Sequence, residues 1–362
     1  MYGIRIPHKK EGFFMHMADA LLAPGVAATM YVASAAVATV SIVKLRKEEK
    51  LQKQPISKRL PVMAVMAALV FAGQMINYTI PGTGSSGHLC GGMMLSALLG
   101  PFAGFLSMIV VLAIQCLFFA DGGLMALGAN IWNMAFYGCF VGYFLIYRPI
   151  MRSRLGGARV RIIVSSIVGC VLTLQLGAFS VVLETALSGI SDLPFGAFVG
   201  LMQPIHLAIG LVEGLITCAV LLFVYEARPE LVREVDTEKG KCSLKTTVII
   251  LAVVAAVIGG GLSLLASGNP DGLEWALFGN EDAGYNANMG LDEENYGKTS
   301  SAANTAASIQ EKTAFLPDYA FSGDEENPAG TTVSGLVGAL MVAVVAGAVC
   351  TVGGIYRKKK AK

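Results

Sequence analysis

Positions 161–183 read "RIIVSSIVGCVLTLQLGAFSVVL", twenty-three residues with one charge, at the start. A helix needs about 20 apolar residues to cross the hydrocarbon core of a bilayer. In that medium the backbone must satisfy its own hydrogen bonds, so a run of this composition is read as a spanning helix. Nine such segments are predicted, at roughly 20–43, 60–79, 88–99, 101–119, 128–147, 161–183, 204–225, 246–267 and 331–356. The chain is 54% hydrophobic and 14% charged, where soluble domains carry about 25% charged residues. The predicted fold class is all-α: a polytopic membrane helical bundle with a seven-span body (15–225) and a two-span appendage (246–362). A charged cytoplasmic linker, 226–245, joins them. The third segment is short for a span, and Gly100-Pro101 marks its break from the fourth.

Charge distribution orients the bundle. Segments 44–59, 148–161, 226–245 and the tail after 356 hold 22 of the 27 Lys and Arg. Nine spans put all four on one side, which the positive-inside rule assigns to the cytoplasm. The N-terminus then faces outward and the C-terminus inward, in a prokaryotic cell membrane. Arg5, Lys9 and Lys10 fall on the wrong side, and residues 1–14 lack the apolar core of a secretory signal. That leader is expected to be absent from the working protein, with Met15 as its first residue. Loop 268–330 carries twelve acidic residues and two lysines, and reads as an extended, partly disordered outward loop.

Among the four histidines, His8, His16, His88 and His206, this topology places His16 and His88 at one outer face. Imidazole suits divalent Ni, Co, Cu and Zn. Two interfacial histidines that never meet is the competing reading. If Met15 is a terminus, its amine, the His16 backbone nitrogen and the His16 imidazole form a planar fork that His88 could close. Such a nitrogen-rich set favours Ni(II) or Cu(II) and can hold Co(II). The seven cysteines form no C-x-x-C pair, so a disulfide framework or thiolate site is not expected.

Asp121, before Gly122-Gly123, and Asn130 are candidates to hydrogen-bond a ligating histidine, or else a turn aspartate and a packing asparagine. Gln74, Asn77, Gln115 and Glu213 are polar at membrane depth and so candidates for function; Glu213 could be a relay or a paired acid. His206 is a candidate ligand or gate. Ala64, Ala68 and Ala72 form a small-residue stripe suited to docking a membrane partner or to packing within the bundle. No phosphate-loop motif occurs. Energy from ATP would come from another subunit, and no nucleophile–base constellation suggests an enzyme.

The stretches "MHMADALLAP" (15–24), "GTGSSGHLCGG" (82–92), "LLGPFAG" (98–104) and "IQCLFFADGGLMALGANIWNM" (114–134) resemble the CbiM/NikM family. These are substrate-binding components of energy-coupling factor cobalt and nickel transporters. "PDGLE", Pro270, Asp271, Gly272, Leu273 and Glu274, is similar to the PDGLE domain of the accessory CbiN/NikN subunit that promotes metal loading. The resemblance implies a metal held by Met15, His16 and His88, with Asp19 retained in the N-terminal turn. It implies a transmembrane coupling subunit and two cytoplasmic ATPases as partners. Transported Co(II) or Ni(II) would be the cargo, with no cofactor and no nucleic acid. Alternatives are a component for an organic micronutrient, which would want an aromatic-lined pocket, and a self-sufficient secondary transporter, which would want intramembrane acidic relays.

Overall fold

The structure, a computed structural model, describes residues 16–52, 60–189, 193–235, 240, 242–285, 297, 300–324 and 327–360. Six described helices are long and apolar enough to cross a membrane: α1 (Pro24–Gln52), α4 (Pro101–Phe119), α5 (Leu127–Met151), α6 (Ala158–Ser188), α7 (Phe195–Ala227) and α11 (Pro328–Lys360). Two shorter apolar helices, α2 (Leu60–Gln74) and α8 (Leu244–Gly260), join them. A short antiparallel hairpin, β1 (Tyr78–Ile80) with β2 (Ser85–Gly87), precedes α3 (Gly92–Leu99). Two polar-region helices, α9 (Gly272–Phe278) and α10 (Ser301–Thr313), complete the described set. The chain is a multi-pass helical membrane protein.

The third predicted span differs from expectation. α3 has eight residues, about 12 Å at 1.5 Å per residue, less than half of a roughly 30 Å hydrocarbon core. Every one of its residues is buried. Glycines permit this: a Cβ on Gly92 would sit 2.8 Å from the Met134 carbonyl oxygen of α5, and one on Gly104 of α4 would sit 3.0 Å from the Ser96 nitrogen. Gly100, at φ 88°, separates α3 from Pro101, the first residue of α4. The seventh span is longer than predicted: Pro204 lies inside α7 rather than at its start.

α6 and α7 form a close antiparallel pair, because Gly210 and Gly214 bring α7 against the Val171 and Ile167 backbone of α6. α8 and α11 cross at Gly259 and Gly335. α11 also covers α2. Ala68, Phe71 and Met75 share a buried cluster with Ala339, Val342 and Ala346. The alanine stripe is thus occupied within the chain: Ala64 is half-buried, Ala68 and Ala72 are buried. Ala68 packs within the bundle against the α11 cluster in this structure.

The described part of 268–330 is folded, correcting the expectation of an extended loop. Asp271 and Ser300 cap α9 and α10 through their side chains. Ala303, Ala306, Leu316 and Tyr319 are buried against the body. Acidic composition concealed an apolar island, "FLPDYAF", at 315–321.

Candidate metal centre

The chain enters the bundle through a clamp. The Met17 N–H donates to Asn130 Oδ1, and Asn130 Nδ2 donates to the Met17 carbonyl, both at 3.1 Å. The Gly123 N–H also donates to that carbonyl. Asp19 Oδ1 accepts from the Ala126 N–H at 2.8 Å; burial raises the Asp19 carboxyl's pKa, and this bond and the Met125 amide partly offset it. A Cβ on Gly123 would lie 1.8 Å from Asp19 Oδ1, so only glycine lets the two segments meet. Asp19 and Asn130 hold the N-terminal turn through these bonds.

His16, 4% exposed, is thereby held beside Asp121, 3% exposed. His16 Nδ1 lies 2.7 Å from Asp121 Oδ1. A carboxylate only accepts, so Nδ1 carries a proton, and in the neutral tautomer this leaves the lone pair on Nε2. Nε2 is buried with no hydrogen-bond partner. Asp121 Oδ2 accepts from the Tyr319 hydroxyl at 2.6 Å. Burial alone would raise the Asp121 carboxyl, but the neighbouring His16 imidazole, the Tyr319 hydroxyl and the His88 imidazole outweigh it and lower its pKa below the usual value.

The His16 and His88 rings face each other, with centroids 5.4 Å apart at 51°. Seventy-two residues of chain separate them, so the reading in which they never meet is excluded here. The loop after His88 is fixed from α7: Glu213 accepts from the Cys90 N–H at 3.0 Å and the Gly91 N–H at 2.9 Å. Gln74 Nε2 donates to the Cys90 carbonyl. Both carboxylate oxygens of Glu213 are therefore spent on positioning this loop. Met15 and His8 lie outside the described residues. A fork through the His16 backbone nitrogen closes a chelate ring only through Nδ1, and in this structure Nδ1 is on Asp121. No cluster of three His, Cys, Asp or Glu side chains suited to a metal occurs among the described residues.

The two imidazoles open on a cavity of about 100 Å³, lined also by Asn130, Asn133, Met134, Met202, His206 and Asp271, with no Phe, Tyr or Trp in its wall among the described residues. His206 Nδ1 donates to the Met202 carbonyl at 2.8 Å, which leaves Nε2 as the acceptor nitrogen of the neutral ring.

Residues 16–231 match the family model described as "Cobalt uptake substrate-specific transmembrane region" (CbiM), and 245–353 match the PDGLE domain. The chain belongs to the CbiM family. Some of the relatives it matches carry names that call them fused proteins. A "Putative fused nickel transport protein NikMN" of Archaeoglobus fulgidus is 35% identical over 91% of this chain and 95% of that protein. A "Probable fused nickel transport protein LarMN" of Lactiplantibacillus plantarum is 32% identical over 72% of this chain and 78% of that protein. A "Cobalt transport protein CbiM" of Geobacter sulfurreducens is 28% identical over 70% of this chain and 72% of that protein.

Three residues of the PDGLE motif, Asp271, Gly272 and Leu273, line the same cavity. Ser86 donates to the Pro270 carbonyl through its N–H at 2.8 Å and to the Asn269 carbonyl through its hydroxyl at 2.8 Å. Asp271, 4% exposed, accepts from the Glu274 N–H as the cap of α9; burial raises its carboxyl, and His88 and His16 oppose this. A Cβ on Gly272 would lie 3.0 Å from His206 Cε1. Two sequence candidates stand apart from the imidazoles. The Asn77 carbonyl accepts from the Ser267 N–H, and Gln115 is buried beside Tyr319. Sequence reasoning missed Tyr319 and also Gln310, whose Nε2 donates to the Cys116 and Gly122 carbonyls at 2.9 and 2.7 Å. It also missed Glu184, which accepts from Asn133 at 2.8 Å. The apolar island around Tyr319 was the available signal; nothing in the sequence marked Gln310 or Glu184.

Proposed function

We propose that this protein captures Ni(II) or Co(II) at the outer membrane face and delivers it inward as the substrate-binding component of an energy-coupling factor transporter. The observation that carries the reading is the pairing of His16 and His88 at one cavity, with the buried His16 Nε2 unpartnered. A buried polar nitrogen without a partner is costly, and a divalent ion that suits imidazole would satisfy it. Full-length fused relatives carry nickel in their names, so nickel is the ion to test first.

On this reading, two imidazoles meet the ion first. The Met15 amine and His16 backbone nitrogen join if the His16 ring turns about its Cβ–Cγ bond, which brings Nδ1 to the ion and Nε2 towards Asp121. The N-terminus lies outside and the linker inside. A coupling subunit and two ATPases supply the energy, since this chain has no phosphate loop. The aromatic-free cavity wall disfavours an organic micronutrient. Glu213, engaged by two amides, disfavours a free intramembrane relay.

The test is calorimetric titration of the detergent-purified full chain with Ni(II) and Co(II). His16→Ala and His88→Ala should each lower affinity more than about 100-fold while insertion persists, consistent with loss of a direct ligand where outer partners are worth 10–100-fold. Affinity should also fall on acidification, because ligating nitrogens must be deprotonated. Unchanged affinity in both variants would sink the site.

A further inference from the structure

We propose that Tyr319, from the PDGLE domain, is a positioning residue of the metal centre, acting through Asp121 to set which nitrogen of His16 meets the ion. This rests on the capture reading above. Three groups form one buried line: His16 Nδ1–H to Asp121 Oδ1 at 2.7 Å, and Tyr319 O–H to Asp121 Oδ2 at 2.6 Å. With both oxygens engaged, the carboxylate cannot rotate without losing a bond. Asp121 so held accepts from whichever His16 N–H faces it, Nδ1–H in this structure and Nε2–H once the ring has turned, and leaves the other nitrogen for the ion, as an outer partner fixes the tautomer of a metal-ligating histidine.

The backbone gives independent support. Four described non-glycine residues have positive φ, and three flank this line: Ala120 at 56°, Asp318 at 52° and Tyr319 itself at 60°. Side chains rarely adopt that region, and such strain persists where the surroundings over-determine a conformation. Here it aims Asp121 and Tyr319 at each other. The ring of Tyr319 stacks on Phe119 at 5.0 Å and meets Phe71 edge-on at 6.3 Å. Gln310, from the same domain, grips the carbonyls on either side of Ala120-Asp121. The appended domain therefore contributes to the metal centre from 198 residues away, in addition to lining its cavity.

Tyr319→Phe removes one oxygen and keeps the stacked ring. Two measurements on the full chain decide the matter: Ni(II) affinity by calorimetry and the visible absorption spectrum of Co(II) at saturation. The expected result is a 10–100-fold loss of affinity with a shifted Co(II) spectrum. Phe315→Leu thins the same aromatic cluster without touching the hydroxyl, and should leave both readings within twofold. If His88→Ala loses binding but Tyr319→Phe keeps wild-type affinity and spectrum, this proposal falls and the capture reading stands. Equal losses in Tyr319→Phe and Phe315→Leu would reduce Tyr319 to packing and also overturn it. A wild-type protein that binds neither ion overturns both readings.

Discussion

The two ends of the bundle use polar groups in opposite ways. At the linker end, Glu234 takes Arg152 at 2.6 Å, Arg148 at 3.3 Å and the Tyr143 hydroxyl at 2.9 Å. Arg159 pairs with Glu226, and Arg228 with Glu230. Most of these cations are exposed, and their partners hold segments 148–161 and 226–235 together. At the site end the polar groups are buried, uncharged or singly charged, and drawn from distant parts of the chain. Both ends hold buried polar atoms without a hydrogen bond, but of different kinds: at the linker end they are arginine Nε donors, of Arg148, Arg161 and Arg228, and at the site end they include the carbonyl and carboxylate acceptors Asn133 Oδ1 and Glu184 Oε1 and the His16 Nε2. One end is a solvated clasp. The other is a scaffold with capacity left over, which is where an incoming ligand can add binding energy.

That contrast can be broken at graded cost. Loss of His16 or His88 should be largest for binding. Next is Glu213→Ala, which strands the Cys90 and Gly91 amides; each buried donor left unpaired costs about 1–3 kcal/mol. A lower thermal midpoint with weaker Ni(II) binding is expected, and Glu213→Gln, which keeps one acceptor, should recover part of both. A wild-type midpoint in Glu213→Ala would show that α7 does not fix the His88 loop.

A smaller effect is expected from Asp19→Asn in the metal-free protein. Burial raises the folded pKa of Asp19 above its unfolded value. Its protonated form is therefore favoured by folding, a contribution present below the unfolded pKa of about 3.9 and lost as pH rises through the folded value. Asparagine keeps an acceptor for Ala126 and does not ionise. The variant's midpoint relative to wild type should rise as pH increases across that window; a pH-independent difference would contradict the assignment. The smallest effect belongs to the clasp. Arg152→Ala should cost at most about 1 kcal/mol, less at high salt, because exposed pairs are worth little. Its Ni(II) affinity should equal wild type, and a large loss would mean the two ends are coupled.

Much of this was legible in sequence. Apolar run length showed the bundle, and charge segregation placed His16 and His88 at one end, where they meet. The Gly100-Pro101 break and the PDGLE motif were readable because short local patterns encode them, but not that the motif lies beside the site. Three things were not. The length of α3 depends on Gly92 and Gly138 contacts that hydropathy does not record. The alanine stripe of α2 looked the same whether α11 or a partner covered it. Tyr319 reaches Asp121 across the fold, inside a stretch whose acidity argued for disorder; only its neighbours Phe315, Leu316 and Phe321 hinted otherwise.

The eight-residue length of α3 has an electrical consequence. From His88 to Gly100, beside Arg233 of the linker, the chain can span at most about 26 Å. Glu213, which holds the His88 loop, lies fourteen residues from the end of α7 at Ala227, about 21 Å of helix. On the proposed orientation, an ion at His88 has already entered the membrane's voltage drop. Each full crossing is worth about 2.3 kcal/mol per charge at 100 mV, and a divalent ion feels twice that. If the centre binds a divalent ion as proposed, its occupancy would depend on membrane potential as well as on metal concentration, and an energised cell would load it more fully than a detergent micelle.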